Sequence, residues 1–187
     1  MTDSDAALVA RVRLGDTAAF EILVRRHFRS AYLVALAHVG DGGRADAEDI
    51  CQEGLLRAWE RIHECRDPSR FSAWFTRIVR NAAINRREYL AVRAATPIDH
   101  STAAAAERAD HRVEQQELRA RIDNALAQLT STQREVVLLH DLEGWTHGAV
   151  ADAIGISELM SRRHLSDARK KLRALLRDYV TLMPDHD

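Results

Sequence analysis

The feature that most constrains this 187-residue sequence is a short helix, a glycine turn and a long basic helix near its C-terminus. Thr146 is a predicted N-cap for a short helix ending at Ile154, because its hydroxyl can accept a hydrogen bond from the first helical turn. Gly155 suits the left-handed position after a helix. Ser157 can cap the next helix, which we expect to continue to about Tyr179. This order is typical of a helix-turn-helix whose second helix lies against DNA.

The final helix of the predicted pair separates an apolar stripe from a basic face. Residues at helical spacing form the stripe: Leu165, Ala168, Leu172 and Leu176. Arg162, Arg163 and Ser166 lie near the helix start, where a recognition helix reaches base edges. The cations that follow suit phosphate groups, namely Arg169, Lys170, Lys171 and Arg173. A solvated basic helix on an ordinary bundle is the simpler alternative, but the glycine turn and caps favour DNA binding.

The charged residues are segregated along the chain. The formal net charge of -1 would by itself argue against a nucleic-acid-binding protein. However, residues 46–53 contain four acids and no cation, whereas residues 158–177 contain seven arginines or lysines against two acids. Such blocks suggest two partners, one basic and one acidic, although a solvated face is the default for an acidic run.

The N-terminal half predicts four helices. Apolar residues recur at helical spacing, and Asp16 and Asp46 are candidate N-caps. Asp67-Pro68 should interrupt the chain between the third and fourth helices. The predicted helices span about 6–14, 16–40, 46–62 and 71–89. In the fourth, Trp74 and Phe75 fit a buried stripe better than stacking platforms for single-stranded nucleic acid.

The small, alanine-rich segment 91–112 has no apolar face and predicts a linker. Beyond it, Thr130 with Gln133 and Thr132 with Glu135 form two overlapping capping-box patterns before a helix that stops at Gly144. We therefore expect an all-α protein of two small helical domains joined by a flexible linker. The expected boundaries are 1–90, 91–112 and 113–182.

Several classes of function find no support in the sequence. No nucleophile, metal-ligand or phosphate-loop constellation occurs, so we expect neither an enzyme nor a cofactor. Cys51 and Cys65 lack metal-site spacing and are most simply the reduced thiols of a cytosolic protein. No apolar stretch is long enough to span a bilayer, and the N-terminus lacks the pattern of a signal peptide. These observations predict a soluble, cytoplasmic chain.

Three segments, in the right order, resemble the extracytoplasmic-function group of bacterial sigma factors. The first is DAEDICQE at 46–53, continued by LLRAW at 55–59, which resembles the core-polymerase-binding motif of that family. The second is FSAWFTRIVRN at 71–81, similar to the promoter-melting helix. The third, ALAQL at 125–129 with QREVV at 133–137, resembles the opening of the promoter-binding domain.

The resemblance implies a partner for each charged surface. The acidic helix would dock on the β′ clamp of core RNA polymerase through Asp46, Glu48, Asp49, Gln52 and Glu53, and the C-terminal domain would meet the β flap. The loop 64–72 and the fourth helix would capture the melted minus-ten strand through Arg70, Trp74, Arg77, Arg80, Asn81 and Asn85. The last helix would bind the minus-thirty-five duplex through Arg162, Arg163, Ser166, Arg169, Lys170 and Arg173. An anti-sigma factor is a further expected partner.

Some positions depart from the family pattern. Ser161 stands at a position usually held by valine, and His164 and Asp167 stand where arginines are common. Asn85 replaces a common aspartate, and Gly148 should weaken the short helix. Two alternatives therefore stay open: a helix-turn-helix regulator that works without polymerase, and a degenerate sigma-like interaction protein that does not recognise promoters.

Overall fold

In a computed structural model the described residues are 3–39, 43–94 and 113–177, and all their regular secondary structure is helical. The N-terminal group contains α1 (Asp5–Val12), α2 (Thr17–His38), α3 (Gly43–Glu60) and α4 (Phe71–Ala94). Two short 3-10 helices, Ile62–Glu64 and Pro68–Arg70, connect α3 to α4. The all-helical fold predicted from the sequence is confirmed.

The C-terminal group contains α5 (Val113–Ala127), α6 (Ser131–Val137), α7 (His147–Ile154) and α8 (Glu158–Leu175). A π-helical turn, Leu138–Leu142, follows α6 directly. Gly155 has φ 75° and turns the chain between α7 and α8, as predicted. The predicted end of α8 near residue 179 and most of the predicted linker lie outside the described residues.

Helix starts follow the predicted caps at most positions. The side chains of Asp16, Thr146 and Ser157 each accept a hydrogen bond from the backbone three residues ahead. This backbone hydrogen bond and the nearby Arg11 lower the pKa of Asp16. The prediction that Asp46 is the N-cap of the third helix is wrong, because α3 begins at Gly43 and Asp46 lies inside its first turn. Asp46 instead accepts a hydrogen bond from Arg86 of α4 at 3.3 Å.

Only one of the two predicted capping boxes forms. Thr130 and Gln133 exchange side-chain and backbone hydrogen bonds at 3.1 and 3.2 Å. The box predicted for Thr132 and Glu135 is wrong, since α6 already begins at Ser131. The Glu135 carboxylate turns away from its own helix and is fully buried against the N-terminal group.

The core of the N-terminal group depends on one close approach between helices. Phe71 and Phe75 are buried and stack with ring centroids 5.9 Å apart, whereas Trp74 is half-buried at the edge of the same core. Gly54 of α3 faces Val79 of α4 so closely that a Cβ at residue 54 would lie 2.5 Å from Val79 Cγ2. The glycine therefore sets how near α3 and α4 can lie.

The core of the C-terminal group accommodates the atypical Ser161. The Ser161 side chain is fully buried, and its hydroxyl lies 3.0 Å from His147 Nδ1. Burial, together with repulsion from His140 and Arg162, lowers the pKa of His147. The neutral ring that results is a suitable hydrogen-bond partner for a buried hydroxyl. The ring of His147 thus provides a partner for the hydroxyl of Ser161, the residue that departs from the family pattern.

The two helical groups contact each other along α2, α4, α6 and α7. Val34 of α2 and Ala73 of α4 are buried in one apolar cluster with residues of the C-terminal group: Val136, Leu139, Val150, Ala153, Ile154 and Leu165. No helix in the described part of the chain is long and apolar enough to cross a membrane.

Candidate nucleic-acid and polymerase interfaces

The acidic surface of α3 is a continuous exposed face. The opposite side of the helix packs against the core through four buried residues, Ala47, Ile50, Cys51 and Ala58. The exposed face is formed by Glu48, Asp49, Gln52 and Glu53, of which Glu53 pairs with Arg57 at 2.5 Å. Asp46 is half-buried and is already paired with Arg86, so it contributes less free charge than the sequence predicts.

An apolar side chain of the segment 55–59, which was not among the predicted contact residues, adjoins this acidic face. Leu56 is 66% exposed and lies one turn beyond Gln52 and Glu53. An exposed leucine alone is ordinary. Leu56, however, lies next to a row of charged and polar side chains on the same helix. Protein interfaces often have this composition, with an apolar contact at the centre and charged residues around it. The four-residue spacing between Gln52 and Leu56 is visible in the sequence and predicts that both lie on the same side of the helix.

The basic surface of α4 begins at the 3-10 helix that precedes it. Trp74 is half-buried, Arg80 is partly buried, and Arg77, Asn81 and Asn85 are exposed. The structure thus places all six predicted minus-ten residues on α4 or directly before it, and Arg70 is the last residue of the 3-10 helix. A groove of about 550 Å³ separates this segment from α7 and the start of α8.

Three of these arginines are bound to the C-terminal group. Arg70 Nη1 donates to Asp152 Oδ2 at 2.5 Å, and Arg77 donates to the backbone carbonyl of Asp152. Arg80 Nε donates to Glu135 Oε1 at 2.7 Å. These pairs could not be predicted from local sequence patterns, because their members lie 55 to 82 residues apart in the chain.

The basic surface of α8 faces solvent along its whole length. Buried Ser161, Leu165 and Ala168 fix the opposite side of the helix. The exposed residues include Arg162, Arg163, Ser166, Lys170 and Arg173. Arg162 pairs with Glu158, and Arg163 lies 4.0 Å from Asp167, both one helical turn away.

Arg169 is held in place from outside its own helix. Its Nε and Nη2 atoms donate to the two carboxylate oxygens of Asp141 at 2.9 and 2.5 Å. This bidentate pair lowers the pKa of Asp141 and raises that of Arg169. The two parallel hydrogen bonds to Asp141 fix the Arg169 side chain and partly compensate its charge. Arg169 is therefore better suited to orienting α8 than to binding phosphate.

Two exposed apolar residues that were not among the predicted DNA contacts lie at the start of α8. Leu159 is 76% exposed and Met160 is 38% exposed, next to the predicted DNA contacts. Apolar side chains at a recognition-helix start can contact the methyl group of thymine. The four-residue spacing from Leu159 to Arg163 places both on one side of the helix.

Comparison with known families matches both helical groups. Residues 23–91 match the family model described as Sigma-70 region 2, and residues 119–172 match the model described as Sigma-70, region 4. The chain is 30% identical to the ECF RNA polymerase sigma factor SigM of Mycobacterium tuberculosis, covering 92% of this chain and 85% of that protein. It is also 30% identical to the RNA polymerase sigma factor NccH of Alcaligenes xylosoxydans xylosoxydans, over 94% of this chain and 97% of the relative.

Solved structures show the same arrangement of helices. CnrH, solved in complex with the cytosolic domain of CnrY, superposes with a TM-score of 0.69 at 27% identity, covering 94% of this chain and 99% of CnrH. The sigma factor RpoE of Bartonella quintana, solved with the anti-sigma factor NepR, shares the fold with a TM-score of 0.65 at 20% identity, over 84% of this chain and 96% of RpoE. Sequence, order of domains and fold agree: the chain belongs to the sigma-70 family of bacterial RNA polymerase sigma factors, in its extracytoplasmic-function group.

Proposed function

We propose that the exposed acidic face of α3 is the surface by which this sigma factor binds core RNA polymerase. The observation that carries the proposal is that Glu48, Asp49, Gln52 and Glu53 share one solvent-facing side with exposed Leu56. Such a face is complementary to a basic, partly apolar surface, and the β′ clamp is the partner that the family resemblance suggests. Contact of the C-terminal group with the β flap is part of the same proposal.

The residues before and along α4 are proposed to hold the melted promoter strand at the minus-ten element. Arg70, Arg77 and Arg80 supply positive charge, and Asn81 and Asn85 supply exposed amides that can donate to and accept from bases. Trp74 is half-buried, so its exposed edge can pack against a base without leaving the core. This arrangement supports strand capture with no catalytic step.

Helix α8 is proposed to bind the minus-thirty-five element in the major groove of duplex DNA. Arg162, Arg163 and Ser166 face solvent near its start and suit base edges, while Lys170 and Arg173 suit phosphates. Arg169 is assigned a positioning role through Asp141. Together these surfaces describe a promoter-specificity subunit that recruits polymerase and is not itself an enzyme.

The remaining assignments rest on the family. Domain boundaries at 1–90, 91–112 and 113–182 fit the matched ranges 23–91 and 119–172. The cytoplasm is the proposed compartment, because core polymerase and promoters are found there. An anti-sigma factor is a proposed partner, supported by the likeness to CnrH, which was solved with the cytosolic domain of CnrY, and to RpoE, which was solved with the anti-sigma factor NepR.

Charge reversal on α3 tests the proposal. The variant Asp49→Lys with Glu53→Lys places two cations on the proposed polymerase surface. The matched control, Glu21→Lys with Glu88→Lys, reverses two exposed acids on other helices of the N-terminal group. We expect the wild-type and control proteins to co-elute with core RNA polymerase in gel filtration, and the α3 variant to elute free.

DNA binding separates this proposal from a helix-turn-helix regulator that works without polymerase. All three proteins should retain equal binding to duplex DNA, since α8 is unchanged. If the α3 variant co-elutes with core polymerase as well as the wild type, the proposed surface is wrong. If the wild type itself does not co-elute, the polymerase-binding function is wrong.

A further inference from the structure

One apolar side chain lies in the middle of the outward side of α8, at the start of the helix. Ser161, Leu165 and Ala168 are buried and fix the side of α8 that packs against the C-terminal group. At 3.6 residues per turn, the opposite side is formed by four exposed residues spaced four, three and four apart: Leu159, Arg163, Ser166 and Lys170. Of these four, Leu159 is the apolar one, and the other three are polar or cationic.

The turn before α8 fixes the direction of its first residues. Gly155 has a left-handed φ of 75°, and the Ser157 hydroxyl accepts a hydrogen bond from the Met160 amide at 3.2 Å. On the first turn that these contacts define, Leu159 is 76% exposed. Met160 is 38% exposed and lies about 100° round the helix from Leu159. Leu159 is therefore the apolar residue that points most directly away from the protein.

An apolar side chain on a surface that contacts base edges discriminates between bases. In the major groove the apolar group that a base pair presents is the methyl group of thymine, whereas the other bases present hydrogen-bonding groups. Packing Leu159 over such a polar edge would leave donors or acceptors of the base without a partner. Packing it against a thymine methyl group removes two apolar surfaces from water. The chemistry of Leu159 therefore favours thymine.

Arg163 places a polar contact next to this apolar one. Its side chain is 74% exposed and its Nε lies 4.0 Å from Asp167, a separation that leaves the guanidinium available to a base. The four-residue spacing separates Leu159 from Arg163 by about 6 Å along the helix axis. Because stacked base pairs are about 3.4 Å apart, the two side chains reach base pairs within about two steps of each other.

We propose that Leu159 is a specificity-determining residue, which contacts the methyl group of a thymine in the minus-thirty-five element close to the base bound by Arg163. This inference rests on the proposed function of α8 and deepens it. A duplex with deoxyuridine at that position keeps the same hydrogen-bonding edge and lacks only the methyl group. It is bound more weakly, because Leu159 then loses its apolar partner.

Removing the methyl group from the DNA and the side chain from the protein tests the contact from both sides. The protein is assembled with core RNA polymerase, and the duplexes that this holoenzyme binds are selected from a random-sequence library. Each thymine of the aligned minus-thirty-five sequence, on either strand, is then replaced singly by deoxyuridine. Leu159→Ala removes the proposed contact. Leu175→Ala, at the far end of α8 and 48% exposed, is the matched control.

Fluorescence anisotropy of labelled duplexes gives the affinity of each holoenzyme. For the wild type and Leu175→Ala, we expect deoxyuridine at one position to lower the affinity about fourfold, as for burial of one CH₂-sized group. The Leu159→Ala holoenzyme should bind the thymine and deoxyuridine duplexes of that position equally. Circular dichroism of the free proteins checks that both variants are folded.

The other outcomes overturn the inference. If the selected sequence contains no thymine, if no deoxyuridine position weakens binding, or if Leu159→Ala keeps the wild-type difference, Leu159 does not contact a thymine methyl group. If Leu159→Ala instead reduces co-elution with core polymerase and keeps that difference, Leu159 binds a protein partner. If the wild-type holoenzyme forms but selects no shared minus-thirty-five sequence, the proposed function of α8 is itself wrong.

Discussion

Replacing Gly54 by alanine should loosen the contact that holds α3 and α4 together. The added Cβ would lie 2.5 Å from Val79 Cγ2 and 3.3 Å from Val79 Cα. Rotating the valine relieves the first contact but not the second, so the helix backbones must also separate. Overpacking of this kind costs about 1–3 kcal/mol. Alanine regains about 1 kcal/mol of helix propensity over glycine, which leaves a net loss of up to about 2 kcal/mol by these two estimates.

Gly148 provides a matched control for the same substitution. It also lies in a helix, but a Cβ there would meet nothing closer than 3.9 Å. Gly148→Ala should therefore stabilise the protein by up to about 1 kcal/mol through helix propensity alone. Urea unfolding, followed by circular dichroism and by tryptophan fluorescence, measures both changes; Trp74 packs against the core that includes Val79.

The double variant Gly54→Ala with Val79→Ala tests the cause. Removing Cγ2 of Val79 should recover part of the loss, as a coupling free energy of about 0.5–3 kcal/mol between neighbouring residues. The reasoning is refuted if Gly54→Ala is as stable as Gly148→Ala, or if the effects of the Gly54 and Val79 substitutions are simply additive.

Two further predictions concern the C-terminal group. Burial, with His140 and Arg162 nearby, lowers the pKa of His147 below its usual 6.5. The unfolded chain therefore binds more protons at this residue than the folded protein does. The stability that the neutral ring of His147 contributes is complete above pH 6.5 and is lost as the pH falls. Between pH 7.5 and 5.5 the free energy of unfolding in urea should therefore fall more for wild type than for His147→Gln, and equal losses would contradict the cause given. On α8, Arg162→Ala should weaken binding to a cognate duplex by about 1–3 kcal/mol, as for loss of a base contact. Lys170→Ala should instead weaken binding to all duplex sequences alike. It should also reduce the slope of log affinity against log salt concentration by about one. If gel-shift titrations show that Arg162→Ala weakens binding to all duplex sequences equally, Arg162 contacts phosphate and not a base.

Features set by neighbouring residues were predictable from the sequence. The caps at Asp16, Thr130, Thr146 and Ser157 and the left-handed Gly155 depend only on residues within one turn, and the structure has all of them. The apolar faces of α3 and α8 were likewise visible as periodicity. These local patterns were sufficient to predict the helical fold, whereas the family was indicated by the resemblance of three motif segments in order along the chain.

Features set by distant residues were not predictable. Glu135 matches a local capping box, yet its carboxylate binds His38 and Arg80, which lie 97 and 55 residues away in sequence. The same holds for Asp152 and for the bidentate pair of Asp141 with Arg169. Ser161 departs from the expected valine, and only the packed structure shows that the ring of His147 satisfies its hydroxyl. The sequence therefore locates the charged surfaces but does not show which of their residues are already paired.

Mapping of transcript start sites tests the central claim most directly. Core RNA polymerase is incubated with genomic DNA fragments, alone, with this protein, and with the Asp49→Lys, Glu53→Lys variant, and the 5′ ends of the transcripts are sequenced. We expect start sites that appear only with the wild-type protein and that share aligned minus-ten and minus-thirty-five sequences upstream. The same start sites with core polymerase alone, or an unchanged set with the α3 variant, would contradict it.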